Sequence, residues 1–426
     1  MEKEILKSKR TGDSCIHVRH KSGLDIYICE MKGFSSVEAL FGTKYGSVNT
    51  MFKTADDTEY TTVPEGIAHF LEHKLFENED CQVFELYAKT GAIGNAYTSF
   101  DKTCYLFSCS ENYQKNLRIL LDFVQKPFFT KENVEKEMGI IGQEIQMTND
   151  NPDWRVFFNM LRCMYHEHPV KTDIAGTLES IAEINAELLY KCYNTFYNLN
   201  NMVLSIAGNI SADEVLAVCD EMLMPCGNNA LECVFPDEPE TIVKPFFSEK
   251  QPVGASVFNL GYKCIPCSGI EKIKKCTAAA IAGELLTDPS SDMYQKLLKD
   301  GIINSTFVYE VFSGDGYFTL ILSGESEKPE IVKNCVISEI QRMLKNGITE
   351  NDFRRFQKTL YASLIRELNN VEAVSNAMLC SHFDGVSPFA NIDVLSDITS
   401  CDVLEFIRSE LLSEKLVLSV IERKVD

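Results

Sequence analysis

Two histidines four residues apart, His69 and His73 in the run His69-Phe70-Leu71-Glu72-His73, constrain this chain more than any other feature. They can share one ligand only if the residues around them form an α-helix, where a repeat of ~3.6 residues puts positions i and i+4 on one face. The neighbouring apolar residues agree. Ile67, Phe70, Leu71 and Leu75 follow the spacing of a buried stripe, while His69, Glu72, His73 and Phe76 occupy the other side. Such a helix has an apolar back and a polar front on which two imidazoles converge. Glu72 lies beside His73 on that front, within reach of a metal-held water. This is the inverted form of the His-Glu-x-x-His motif, and the chemistry it suggests is zinc-dependent hydrolysis of a peptide bond.

A catalytic zinc takes three protein ligands and leaves one position open. The third donor must come from elsewhere, and the helix expected over Lys131–Thr148 offers Glu137 and Glu144. Val134, Met138, Ile141 and Ile145 form its apolar stripe. The two glutamates are seven residues apart, so they share a stripe ~10 Å apart along the axis. One would ligate and the other would orient a histidine or the base; spacing leaves open which does which. The donor set of two imidazoles and a carboxylate favours zinc over manganese or cobalt.

The remaining pattern predicts an α+β chain in two halves. In the first, strands are expected at Gly23–Cys29 and Ala39–Phe52, the motif helix from near Pro64, and a hairpin of Gly94–Ser99 with Thr103–Cys109. Helices follow at Glu111–Gln125, Lys131–Thr148, Asp153–Tyr165 and Leu178–Tyr197, then a buried strand at Asn201–Gly208. Ser211-x-x-Glu214 reads as a capping box. Met224 to Gln251, with Cys226-Gly227-Asn228-Asn229 and three prolines, reads as a linker. The second half repeats the order. A strand is expected at Ala255–Tyr262, helices at Lys272–Leu286 and Asp292–Lys299, and a hairpin of Thr306–Phe312 with Tyr317–Leu322. Helices at Pro329–Lys345, Glu350–Asn369, Val371–Phe383 and Asp393–Leu412 precede a strand at Lys415–Ile421. The matching order suggests two homologous domains, 1–223 and 252–426 around a linker at 224–251, each an antiparallel-rich sheet with helices on one face. The helix of the second half that corresponds to the motif helix carries no histidine.

With a net charge of −21 the chain would repel phosphates, so no nucleic-acid partner is expected. No apolar run is long enough to span a membrane, and Met1-Glu2-Lys3-Glu4-Ile5-Leu6-Lys7 lacks a signal-peptide core. The 16 cysteines are scattered, as in a reducing cytoplasm. Cys264-x-x-Cys267 stands alone and reads as a turn carrying Pro266. His17, His20, His166, His168 and His382 are not expected to bind metal; for His166 and His168 a positive charge would suit a helix end.

Taken together these residues resemble the M16 peptidases, the relatives of pitrilysin, insulin-degrading enzyme and mitochondrial processing peptidase. The resemblance is carried by His69-Phe70-Leu71-Glu72-His73, by Asn95-Ala96-x-Thr98 and Asp101-x-Thr103-x-Tyr105, by Val134-Glu135-Lys136-Glu137 through Glu144, and by Gly176-Thr177-x-Glu179-Ser180-Ile181. It covers essentially the whole chain, more strongly in the first half. It implies a LuxS/MPP-like metallohydrolase fold. It further implies zinc on His69, His73 and Glu144, with Glu72 as general base and Glu137 supporting the site. It also implies that Asn95, Ala96, Tyr97 and Thr98 lie on an edge strand that takes a peptide substrate. The length fits the M16B class, in which two half-size subunits close as a clamshell. Gly66–Glu77, Gly139–Gln146 and Asn151–Arg155 are similar to a bacterial M16B group associated with aminopentanol modification of elongation factor P. An arginine and a tyrosine that the family uses from its second half are replaced here by Leu297 and Asn304. A motif-less sibling subunit is therefore expected as partner, in a heterodimer, with a homodimer as the alternative. Expected activities are endopeptidase cleavage of short or unstructured peptides, processing of a ribosomally made natural product, or a non-catalytic subunit's support of a modification pathway.

Overall fold

The computed structural model describes residues 3–79, 82–227 and 230–424. Met1 and Glu2 of the charged start, and Asn228 and Asn229 of the expected linker, lie outside the described residues. In chain order the elements are β1 (Lys3–Lys7), β2 (Ser14–Arg19), β3 (Asp25–Glu30), β4 (Val37–Thr43), β5 (Met51–Thr54), β6 (Thr61–Thr62), α1 (Ile67–Leu75), α2 (Val83–Ala88), β7 (Ile93–Thr98), β8 (Thr103–Cys109), α3 (Tyr113–Val124), α4 (Lys131–Asp150), α5 (Pro152–Met164), α6 (Leu178–Ile181), α7 (Ala186–Phe196), β9 (Met202–Gly208) and α8 (Ala212–Met222). Then come β10 (Leu231–Cys233), β11 (Phe246–Gln251), β12 (Val257–Lys263), α9 (Gly269–Thr287), α10 (Asp292–Lys299), β13 (Val308–Gly314), β14 (Tyr317–Glu325), α11 (Pro329–Asn346), α12 (Glu350–Glu367), α13 (Val371–Phe383), α14 (Ala390–Asp397), α15 (Ser400–Glu410) and β15 (Leu416–Arg423).

These elements form two compact α+β units, each discontinuous in sequence. One comprises residues 1–145, 173–235 and 365–390; the other comprises 146–172, 236–364 and 391–426. The first is built on a seven-stranded sheet of order β1-β2-β3-β9-β4-β8-β7, with a small sheet β10-β5-β6 beside it. The second is built on a five-stranded sheet of order β11-β15-β12-β14-β13. Both large sheets are mixed: β3 runs parallel to β9 and β11 parallel to β15, while their other neighbours are antiparallel.

Each sheet is covered on both faces, not on one as the pattern suggested. In the first unit β4 and β9 are buried along their whole length, as strands sandwiched between layers are. Ala39, Phe41, Leu204 and Ile206 point into the larger core with α1, α3 and α8. Leu40, Val203 and Ala207 point the other way, against Val374, Met378 and Leu379 of α13. In the second unit α5 takes the corresponding place. A Cβ on Gly42 of β4 would sit 2.8 Å from Leu379 Cδ1, and one on Gly261 of β12 would sit 2.2 Å from Met164 Cε. A glycine in a central strand thus lets the covering helix approach. The covering helix of each unit comes from the opposite half of the sequence, a long-range choice that local periodicity does not encode.

Several boundaries differ from the sequence pattern for identifiable reasons. The stretch Ala39–Phe52 is two strands, because Ser47 and Val48 donate their N–H groups to Ser99 and Phe100 of the hairpin turn. The helix expected over 178–197 breaks where Asn185 caps α7 through Leu188 N–H. The one expected over 393–412 breaks where Thr399 and Asp402 form a capping box. Ser211 precedes α8 but makes no side-chain cap: Glu30 takes the Ala212 N–H at 2.7 Å, and the Tyr113 hydroxyl donates to Glu214. The expected linker contains β10 and β11, which join sheets through backbone bonds despite the nearby prolines. The short β1 and α2 carried too little periodicity to be read from sequence.

Within the second unit a buried ion pair fixes the segment after α5. Lys263 Nζ donates to Glu238 Oε1 at 2.5 Å and to the carbonyls of Met164, Pro239 and Thr241. The Glu238 carboxylate also accepts the N–H groups of His166, Glu167 and His168. Burial alone would raise the Glu238 pKa, but Lys263 and these N–H groups hold it down at about 2. The folded value lies below the unfolded ~4.3, so this stabilisation is complete above that value and fades as pH falls toward about 2. Glu238→Gln should therefore lower stability at neutral pH and flatten its acid dependence in that window, as read by urea unfolding at stepped pH. An unchanged acid profile would show that the network is not what titrates.

Candidate metal centre

The candidate centre lies wholly in the first unit and is built by α1, α4 and the edge strand β7. α1 begins at Ile67 rather than near Pro64, because Gly66 adopts a left-handed backbone with φ 88°. Ile67, Phe70, Leu71 and Leu75 are buried. On α4, Val134, Ile141 and Ile145 enter the same core, and Met138 packs at its margin. Docking the two apolar backs brings the polar fronts together. One donor atom each from His69, His73 and Glu144 then lies within 4.8 Å of the others.

The geometry distinguishes the two glutamates that spacing could not. Glu144 Oε1 is 3.7 Å from His69 Nε2, and its Oε2 is 3.6 Å from His73 Nε2. Both distances exceed a hydrogen bond, and they approximate the ~3.3–3.5 Å between donors that share a tetrahedral zinc at ~2.0–2.2 Å. Glu137 lies one layer out, with Oε1 3.1 Å from His73 Nδ1. That bond places the N–H on Nδ1 and leaves the Nε2 lone pair facing Glu144. His69 Nδ1 is buried without a hydrogen-bond partner among the described residues. The orphaned Nδ1 is the ring nitrogen that does not face Glu144; the set of two imidazole nitrogens and a carboxylate is what fits zinc.

Electrostatics point the same way. Burial, reinforced by His73, pushes the His69 pKa down to about 3, so its imidazole is neutral and ligand-competent near pH 7. Burial opposes charge on His73 too, but the Glu137 bond and the neighbouring carboxylates outweigh it and raise its pKa. Glu137 is driven the other way: burial is overcome by its bond to His73 and the nearby cations, which lower its pKa. Burial raises the pKa of Glu72 despite the Thr98 hydroxyl, which donates to Oε2 at 2.7 Å.

β7 ends the seven-stranded sheet. The Ser99 N–H bond to Lys102 sets the ladder, so the backbone groups of Gly94, Ala96 and Thr98 point away from β8. Asn95 Oδ1 caps the Ala96 N–H at 2.9 Å. Ala96 packs toward the α1 core, whereas Tyr97 faces the opposite side and donates to Asn376 Oδ1 of α13. The Thr98–Glu72 bond was not foreseen, although the alternation along β7 puts Thr98 on the face of α1. Lys74 and Glu77, which abut the site, were also missed.

The other histidines have structural partners. His17 meets Asp25 at 2.8 Å, His20 meets Ser22 at 2.8 Å, and His382 lies 3.4 Å from the Tyr27 hydroxyl. His168 departs from the expected helix-end cation. Burial pushes its pKa down to about 4, and its Nε2 pairs with the Asp315 carbonyl at 3.0 Å. Cys264 and Cys267 are free thiols. Leu297 is buried in the core of the second unit, and Asn304 donates to Glu325. Among the described residues no helix is long and apolar enough to cross a membrane.

Residues 57–178 match the family described as insulinase, peptidase family M16, and residues 183–360 match the M16 inactive domain. The chain is 36% identical to an uncharacterised zinc protease of Bacillus subtilis, YmfH, over 96% of this chain and 97% of that one. It is 31% identical over 38% of its length to a Schizosaccharomyces pombe protein named as a probable mitochondrial-processing peptidase subunit beta, 36% of which is covered. The crystal structure of an M16-like peptidase from Alicyclobacillus acidocaldarius superposes with a TM-score of 0.93 at 34% identity, covering 100% of this chain and 99% of that one.

Zinc at ~100 times its dissociation constant should raise the unfolding free energy by ~2.7 kcal/mol, seen as a thermal shift that a chelator reverses. His69→Ala or His73→Ala should abolish the shift; an undiminished shift in both would put the metal elsewhere.

Proposed function

Because the chain belongs to the M16 peptidase family and gathers its motif residues at one point, we propose that it is a zinc-dependent endopeptidase of the M16B, His-x-x-Glu-His type. The observation that carries this reading is the convergence of His69, His73 and Glu144 beside Glu72. His69, His73 and Glu144 would hold the metal. When bound, zinc supplies Lewis acidity that activates a water and polarises the scissile carbonyl. Glu137 holds His73 in the ligand tautomer through Nδ1. Thr98 fixes Glu72 through Oε2, so Oε1 takes the proton of the attacking water and delivers it to the leaving amine. A pKa raised by burial suits a group that must hold that proton between the two steps. The free edge of β7 supports binding of an extended peptide as an added strand, with Asn95 and Ala96 beside the scissile bond. Substrates are short or unstructured peptides that enter a clamshell of two half-size subunits.

The relative from Schizosaccharomyces pombe is named as a subunit, and Leu297 is buried where the family's arginine would stand. Both favour a motif-less sibling as partner. Free thiols throughout the described residues favour a cytoplasmic setting. The stretches Gly66–Glu77 and Gly139–Gln146 favour the group tied to elongation factor P modification.

Glu72→Gln should keep zinc and lower hydrolysis of a quenched fluorescent peptide library ~100- to 10,000-fold. Cleavage at the parent rate would remove Glu72 from the role of base. In the same assay the parent chain mixed with its motif-less sibling should cleave faster than the parent alone. Equal rates would dismiss the shared site.

A further inference from the structure

Lys74 directly follows the second histidine of the motif, yet its side chain is fully buried. On the helix it falls with Ile67, Phe70, Leu71 and Leu75 on the apolar face. A buried ammonium is expensive unless it is paired. Lys74 Nζ is bonded to Glu77 Oε2 and stands 3.7 Å from Glu137 Oε2. Glu77 in turn faces Lys136 of α4 at 3.8 Å. The other oxygen of Glu137 is the one that meets His73 Nδ1.

These contacts form a continuous chain, Lys136–Glu77–Lys74–Glu137–His73, that ties the end of α1 to α4. Glu137 therefore faces a different partner with each oxygen: Oε2 lies at ion-pair distance, 3.7 Å, from the buried Lys74 ammonium, and Oε1 is hydrogen-bonded to the imidazole. An unanchored carboxylate would rotate between several acceptor geometries. We propose that Lys74 is a positioning residue for the metal centre. It holds Glu137 in the one orientation that keeps the His73 lone pair aimed at the metal position. The proposal rests on the zinc reading above and adds a residue to it. It also accounts for a charge on the apolar face of a helix, where methionine or leucine would pack without desolvation.

The test is a double-mutant cycle read as zinc affinity, by competition of the metal-stripped protein with a chromogenic chelator. Lys74→Met should weaken zinc binding about ten- to a hundred-fold, the range for loss of a group that orients a ligand. In the Glu137→Gln background the same change should weaken it less than about twofold, because the residue through which Lys74 acts is already disabled. Lys74→Gln, which keeps an N–H donor in the same space, carries the test if the methionine variant does not fold; it should retain part of the lost affinity. Additive losses in the two backgrounds would overturn the proposal, as would parent-like affinity in Lys74→Met. Failure of the parent itself to bind zinc would instead overturn the zinc reading.

Discussion

The docking of two amphipathic helices by their apolar backs is the constraint on which the candidate centre depends. Ile67, Phe70, Leu71 and Leu75 of α1 share one core with Val134, Ile141 and Ile145 of α4. Once that core closes, the helical repeat leaves His69 and His73 no direction but toward Glu144. Two imidazoles and a carboxylate placed together without hydrogen bonds among them are a poor arrangement by themselves. Packing imposes it, and the binding of a cation is what such an arrangement suits. The hydrophobic core thus sets the donor geometry, the Glu137 contact to His73 refines it, and Thr98 orients Glu72 beside it.

The two units solve the same packing problem with different content. Each sheet joins one parallel pair to antiparallel neighbours, and each is closed by a helix from the other half of the chain lying over a strand glycine, Gly42 or Gly261. In the second unit α9 crosses the edge strand β13 as α1 crosses β7. There the ring of Tyr309 lies where a side chain on Gly283 would project, and its hydroxyl reaches Glu284. The helix of the first unit carries the imidazoles, whereas the second covers a helix glycine with an aromatic ring from the strand. In both, close packing holds helix to sheet.

Buried charge is spent locally in this molecule. Lys263 with Glu238 pins a loop in the second unit, and Lys74 with Glu137 borders the centre in the first. Each ammonium sits among several acceptors, which is the condition for such a charge to persist in a core. The two pairs differ in consequence: the first organises backbone, the second a carboxylate that touches a histidine.

How much of this was legible depended on the range of the signal. Local periodicity gave α1, α4, the β7–β8 hairpin and the central strand β9, since the alternation or helical repeat of apolar residues is written into each segment. The His69–His73 pair was legible for the same reason. The spacing of Glu137 and Glu144 suggested that one of them would ligate, but which of them faces the two histidine Nε2 atoms required the depth of α4 against α1. The breaks at Asn185 and Thr399 carried capping residues that longer apolar patterns masked. Lys74 could have been noticed as a charge on an apolar stripe, yet nothing in the sequence names Glu137 as its neighbour. The exchange of α5 and α13 between units was invisible as well. The sequence by itself determined which faces are apolar and which residues can bind a metal, because those properties belong to single side chains and their local repeat. Only the tertiary structure decided which glutamate meets the histidines, which sheet each helix covers and how a buried lysine is paired, because those are contacts between segments far apart in the chain.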